Sequence, residues 1–438
     1  MSRPEQLPPL LMPRALLDPR LEGLGPADDD GLVAVRLEHL EGRISAIQPW
    51  PDPRHSAPQQ RAVAALPLAI TPPVEPHAHL DKTFTAAAFA NREGTVAGAF
   101  AANIHESQSR DLEAVLARAE QGLELAWSHG LRSIRSHVDS LGAAADPSWE
   151  ALTTLRQRWA GRLELQLVAL VPVQHWLTPA GEALAARVAA AAGILGGVIG
   201  PPFASRRRDR DGVVALLRLA EQLGCAVDLH IDEGSSDPGR GVAMVSRERL
   251  AQRSEVPLVC SHASSMALLA AEPCQRLCDT IAAASIGVIA LPTTNLWLLG
   301  RRAGRTPLQR IQAPIRQLQL AGVEVALGGD NVQDPWYPGG AFDPIELLRL
   351  ATLISHVVPW QRQGLAPFTT APSRLLGLAW DGVLRLGAPA DLLVLGASSW
   401  GQLLAQAPQR RVLRGGQWLP PPPAERLSPL LACLPHQP

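Results

Sequence analysis

The chain is poor in lysine, tyrosine, cysteine and net charge. Its 438 residues include 40 basic side chains, yet Lys82 is the single lysine and Tyr337 the single tyrosine. With 40 Lys+Arg against 41 Asp+Glu, the formal charge is −1. That balance lacks the electrostatic footprint of a nucleic-acid or membrane-surface protein. Five cysteines form no disulfide framework in a chain this long, and the odd count fits a reducing cytoplasm. No apolar run is long enough to span a bilayer. The opening stretch, MSRPEQLPPLLMPRALLDPR, has no uninterrupted apolar segment followed by a small-residue cleavage site. Charged residues make up only 18%, but a hydrophobic share of 46% excludes disorder and allows a large core.

The ends of the chain read as short strands and turns. Residues 31–38 and 42–47 alternate apolar and polar side chains at period two, and a Pro-rich loop covers 49–58. Similar strand-like stretches recur at 382–387, 390–395 and 410–419, followed by a Pro-rich tail. Between them the rhythm changes. Eight short apolar runs stand at 65–75, 131–139, 163–172, 193–201, 226–233, 257–264, 287–295 and 324–331. Helical patterns rich in Ala, Leu and Arg separate most of them, among them 114–127, 179–192, 212–223 and 307–320. Eight βα units predict a closed (β/α)8 TIM barrel, an α/β fold with a parallel sheet buried on both faces. No Gly-x-Gly-x-x-Gly or Gly-Lys-Ser/Thr motif follows the first strand, which weakens nucleotide-binding folds. The expected division is 1–70 and 373–425 as the two parts of a small β-sandwich, 71–372 as the barrel, and 426–438 as the tail.

Chemistry in such a barrel sits at the C-terminal ends of its strands. Here the first run ends in Glu75-Pro-His77-Ala-His79-Leu-Asp81-Lys82, the second in His137-Val-Asp139, and the fifth in His230-Ile-Asp232-Glu233. The sixth contains Ser261-His262-Ala-Ser264, and the eighth ends in Gly328-Gly-Asp330-Asn331. Histidines at i and i+2 of a strand share a face. His77 and His79, joined by His230 and Asp330, therefore form a candidate set for one divalent ion, Zn or Fe(II), with a position left for water. Isolated histidines such as His129, His175 and His356 read as ordinary core or loop residues. Cys274 and Cys278, with three residues between them, have the wrong spacing for a zinc-deaminase pair and read as neighbours on a helix.

These motifs, with Val74-Glu-Pro-His-Ala-His-Leu-Asp-Lys-Thr and Gly329-Asp330-Asn-Val-Gln-Asp-Pro-Trp336-Tyr337-Pro-Gly, resemble the amidohydrolase superfamily and its bacterial cytosine deaminase-like group. The ordered matches span roughly the whole barrel, and Gly387-Ala-Pro-Ala-Asp391-Leu-Leu-Val-Leu resembles the family's C-terminal return strand. The resemblance implies that His77, His79, His230 and Asp330 bind one metal. It implies that Glu233 shuttles a proton to the substrate ring and His262 orients the water, with Asp330 taking the water's proton. That division agrees with general acid–base chemistry beside a Lewis acid. Binuclear relatives bridge two metals with a carboxylated lysine on a mid-barrel strand. Lys82 follows the first strand, so a mononuclear site is implied; Lys82 itself either lines the pocket or braces the loop by an ion pair, with bracing the preferred reading.

The resemblance is incomplete where the substrate is read. Cytosine deaminases place a glutamine just beyond strand three, and the ungapped match puts Pro172 there. Gln174, two residues on, is the candidate substitute. Asn331 stands where those enzymes carry a second aspartate. Trp336 and Asn295 are further candidate contacts for a flat ring. The expected activity is thus hydrolytic deamination of a cytosine-like cyclic amidine. An aminotriazine, N-alkylamino or creatinine-like ring is the alternative, and a catalytically silent binding protein is the reading from another class. The expected partner is a small heterocycle, not nucleic acid or membrane, and homo-oligomerisation is left open.

Overall fold

The computed structural model describes residues 3–51, 66–200, 207–361 and 363–420. They form two compact units. One draws on Met1–Pro72, Ser128–Gly130 and Val383–Pro438, the other on Pro73–Trp127 and Leu131–Gly382. The expected tail at 426–438, Cys433 and most of the loop at 49–58 lie outside the described residues.

The second unit is built on eight parallel strands. They are β1 (Val74–Ala78), β2 (Ser133–Asp139), β3 (Glu164–Leu170), β4 (Ile194–Ile199), β5 (Val227–Ile231), β6 (Leu258–His262), β7 (Gly287–Ala290) and β8 (Val325–Leu327). Neighbours pair in chain order from β1 to β8. Ala78 bridges to Asp330, whose N–H donates to the His77 carbonyl at 3.1 Å, and this joins the first strand to the loop after the last. The unit is the expected (β/α)8 barrel. Its strands are apolar because both faces are buried, as in the fully buried β5, β6 and β7.

The helices follow from an apolar stripe and local caps. Leu112–Ser128 buries Val115, Ala119, Gly122, Leu123 and Ala126, the spacing of one helical face. Pro179–Ala190 begins with proline and is capped by the Thr178 side chain, which accepts from Gly181 N–H.

Several boundaries differ from the sequence reading. The run at 65–75 holds two strands. Leu68–Ile70 joins the other unit, and only Val74–Ala78 enters the barrel. The run at 287–295 changes after Ala290 into a helix, Pro292–Leu298, because Pro292 suits the first turn of a helix and cannot donate to a ladder. The pattern at 307–320 yields only Ile315–Leu320, since Pro307 and Pro314 keep the earlier residues out of a helix. Residues 382–387 form no strand, only a bridge from Leu384 to Leu17.

The first unit contains one eight-stranded sheet that curls where a small β-sandwich was expected. Its N-terminal and C-terminal parts meet where Leu68–Ile70 pairs antiparallel with Leu392–Leu395. Leu392–Leu395 pairs in turn with Arg410–Arg414, which turns back into Gln417–Trp418.

Candidate metal and catalytic centre

The C-terminal ends of β1, β5 and β8 bring four donor atoms together. His77 Nε2 lies 3.2 Å from His230 Nε2, which lies 3.3 Å from His79 Nε2. Asp330 Oδ1 is 3.3 Å from His79 Nε2 and 3.6 Å from His77 Nε2. An ion held tetrahedrally by donors at ~2.0–2.1 Å separates them by ~3.3 Å. These four separations, 3.2–3.6 Å, are on the scale of donors around one metal ion, and His77, His79 and Asp330 form a group whose donor atoms all lie within 4.8 Å of one another. Burial, with the neighbouring imidazoles, pushes His77 and His230 well below the usual histidine range, so both rings are neutral and able to ligate. Burial raises Asp330, but its hydrogen bond to His79 and the nearby His262 outweigh that and hold it ionised.

A buried relay fixes His77. Ser261 Oγ donates to Asp228 Oδ1 at 2.9 Å, so it accepts from His77 Nδ1–H, also at 2.9 Å. The proton is thereby kept on Nδ1 and the Nε2 lone pair faces the centre. Asp228 Oδ2 is held by Arg135 at 2.9 Å. Glu75 secures the same strand differently. Its carboxylate accepts from His77 N–H at 3.1 Å and from Gly329 N–H at 2.9 Å, tying β1 to the loop that carries Asp330. Gly328 makes room for it, since a Cβ there would lie 2.6 Å from Glu75 Oε1.

Strained backbone aims the remaining groups. Asp232, His262 and Asp330 all adopt left-handed conformations at or just beyond their strand ends, with φ of 54°, 71° and 64°. Asp232 accepts from Gly241 and Val242 N–H at 2.9 and 2.8 Å, which anchors the turn carrying Glu233. Glu233 Oε2 faces His262 Nε2 at 3.7 Å. Burial and then the Asp330 charge push Glu233 up to about 8, against the opposing pull of Lys82. His262 receives a hydrogen bond on Nδ1 from Asn295 Nδ2 at 3.0 Å, leaving its proton on Nε2, toward Glu233.

The sequence-predicted substrate contacts are distributed unequally. Trp336, Asn331 and Gln174 line the large cavity over the centre, as does Pro172. The Gln174 side-chain nitrogen is already bonded to the buried Asp209, and Asn331 is held by Asp334 at 2.7 Å. Asn295 is fully buried behind His262, and its amide positions that ring in place of the expected contact to substrate. Lys82 lines the cavity and also ties its loop to β2. It donates to Asp139 at 2.8 Å within a buried network in which Arg110 also binds Asp81 at 2.8 Å and Asp139 at 3.2 Å.

Three supporting groups carried too weak a signal in sequence. Asp228 and Arg135 sit one strand-period before His230 and His137, so they read as stray charges in apolar runs. Their partnership joins β2 to β5, and Ser261 extends it to β6. His137 was visible in its motif but without a role. It is fully buried and stacked on His77 with ring centroids 3.9 Å apart, and its nitrogens have no hydrogen-bond partner among the described residues. His77, His137 and His230 form a second group whose donor atoms lie within 4.8 Å of one another.

Residues 90–417 match the amidohydrolase family. The chain belongs to that family. Amidohydrolases are metal-dependent hydrolases, and the matched relatives support action on carbon–nitrogen bonds. The amidohydrolase chain is 31% identical to a pterin deaminase from Rhizobium rhizogenes over 399 residues, 90% of this chain and 89% of that protein. It is 23% identical to N-isopropylammelide isopropyl amidohydrolase from Pseudomonas sp., over 78% of this chain and 84% of that one. Among solved structures, 5-methylcytosine deaminase from Klebsiella pneumoniae with phosphonocytosine matches with a TM-score of 0.78 and 25% identity. That match covers 95% of this chain and 99% of the other. No helix among the described residues is long and apolar enough to cross a membrane.

Proposed function

We propose that this amidohydrolase is a metal-dependent hydrolytic deaminase of a flat, amino-substituted nitrogen heterocycle, with the pterin class as the leading substrate. The observation that carries the reading is the convergence of His77, His79, His230 and Asp330 opposite a carboxyl group, Glu233, that burial keeps protonated near neutrality. A single Zn or Fe(II) ion in that donor set would supply Lewis acidity and a water nucleophilic near neutral pH. Glu233 holds a proton for the ring nitrogen next to the amino-bearing carbon, and Asp330 accepts a proton from the attacking water. His262 Nε2–H, positioned by Asn295, donates to oxygen as the carbon becomes tetrahedral. The amino group then takes the proton held by Asp330 and leaves as ammonia, while the hydroxyl proton returns to Glu233 as the carbonyl forms.

A bicyclic ring is favoured over cytosine by two features. The open cavity over the centre measures about 1520 Å³ and extends well beyond it, so a ring system larger than cytosine has room. The glutamine reader expected of a cytosine deaminase is replaced by Pro172, and a missing hydrogen-bonding partner shifts specificity strongly. The cytosine-like ring remains the second reading, supported by the likeness to 5-methylcytosine deaminase. The four described cysteines are free and buried, in keeping with a cytoplasmic setting. Release of ammonia from pterin or 5-methylcytosine, or of isopropylamine from N-isopropylammelide, by the metal-loaded protein tests the proposal. Chelator-sensitive release from pterin supports it. Release from another ring alone moves the substrate, and silence on all three refutes it.

A further inference from the structure

The cavity is longer than the catalytic centre, and its outer part has a composition of its own. The same space that reaches His79, His230 and Asp330 is lined further out by Arg301, Arg302 and Arg305. No carboxylate lies within ion-pair distance of these three among the described residues. Arg301 instead stacks over Trp297, with its guanidinium carbon 4.6 Å from the ring centroid. Arg302 and Arg305 pair across a tight antiparallel bridge, closed by Arg305 N–H donating to the Arg302 carbonyl at 3.2 Å. Gly304 supplies the left-handed turn between them, with φ of 68°. Arg301, Arg302 and Arg305 are exposed, which leaves their guanidinium groups accessible to an anion. The same cavity also carries apolar side chains. Phe100, Leu141 and Leu308 line the cavity yet are 58%, 44% and 98% exposed. Apolar side chains lining a cavity offer contact area to an apolar part of a ligand.

We propose that the substrate is elongated: a heterocycle at the metal end, an apolar arm across Phe100 and Leu141, and a terminal anion held by Arg302 and Arg305. This rests on the reading of the centre as a heterocycle deaminase and narrows its substrate class. Carboxylate and phosphate share the required charge and acceptor geometry. Arginine recognises either.

The test compares three pterins that differ only in the arm: a 6-(4-carboxyphenyl) derivative, its phosphonate and its neutral carboxamide. With the metal-loaded enzyme, kcat/KM for an anionic arm should exceed that for the amide about tenfold, the scale of two solvent-exposed ion pairs. Added salt should shrink the difference. In Arg302→Gln/Arg305→Gln the anion-to-amide ratio should fall to near one. Because the ratio is taken within one preparation, partial loss of folded protein does not change it. Carboxylate preferred over phosphonate, or the reverse, identifies the anion. Equal rates for anion and amide in the unmodified enzyme, or a preference that survives the double substitution, overturn the proposal. If pterin itself releases no ammonia, the reading of the ring fails separately. The same three arms on whichever ring is hydrolysed then decide the question of the arm, and hydrolysis of no ring refutes both.

Discussion

Ser261 accepts a hydrogen bond from Nδ1 of His77 at 2.9 Å while donating its own proton to Asp228. The serine is thus the group that selects the tautomer of a proposed metal ligand. Ser261→Ala would leave His77 Nδ1 without its acceptor. Metal affinity should fall by about 10–100-fold, measured by competition with a chromogenic chelator. Unchanged affinity would show that packing alone orients the ring.

Glu233→Gln removes the proposed proton carrier without touching the donor set. Turnover should fall by about 10²–10⁴-fold, with metal content per chain, read by mass spectrometry, unchanged. A variant with near-normal rates would remove Glu233 from the mechanism.

The pH dependence follows from the same carboxyl group. Glu233 is raised to about 8 by burial and by Asp330, so it is protonated at neutral pH and loses its proton as pH rises through that value. The working form is the protonated one, so kcat should decline above about pH 8. A rate that instead climbs steadily through pH 9 would mean that the ionised carboxylate does the work.

Gly328 is predicted to be intolerant of a side chain. Its Cβ would meet Glu75 Oε1 at 2.6 Å, and the displaced carboxylate would lose its bonds to His77 and Gly329. Gly328→Ala should destabilise the fold by about 1–3 kcal/mol, read from the urea midpoint. No shift in midpoint would show that Glu75 has space to move.

Chelation should abolish turnover and also lower the thermal midpoint, because an ion bound only by the folded chain stabilises it by mass action. Restoring Zn or Fe(II) should recover both. Full activity in metal-free protein would contradict the proposed chemistry.

The barrel and the proposed ligand set were legible in sequence because both depend on local patterns. Strand-length apolar runs must be buried on both faces, and His77 and His79 must share a face at period two. Strand ends in this architecture converge on one side, so His230 and Asp330 could be grouped without knowing a distance. Other features needed the tertiary structure. Asn295 passed for a substrate contact because its strand was expected to continue, and Pro292 turned it into a helix behind His262. The relay through Ser261, Asp228 and Arg135 joins side chains from three strands, and no spacing within one segment encodes such a meeting. The proton on Glu233 likewise depends on what surrounds it. A sequence specifies the carboxyl group, whereas desolvation and a neighbouring charge, set by packing, decide its ionisation.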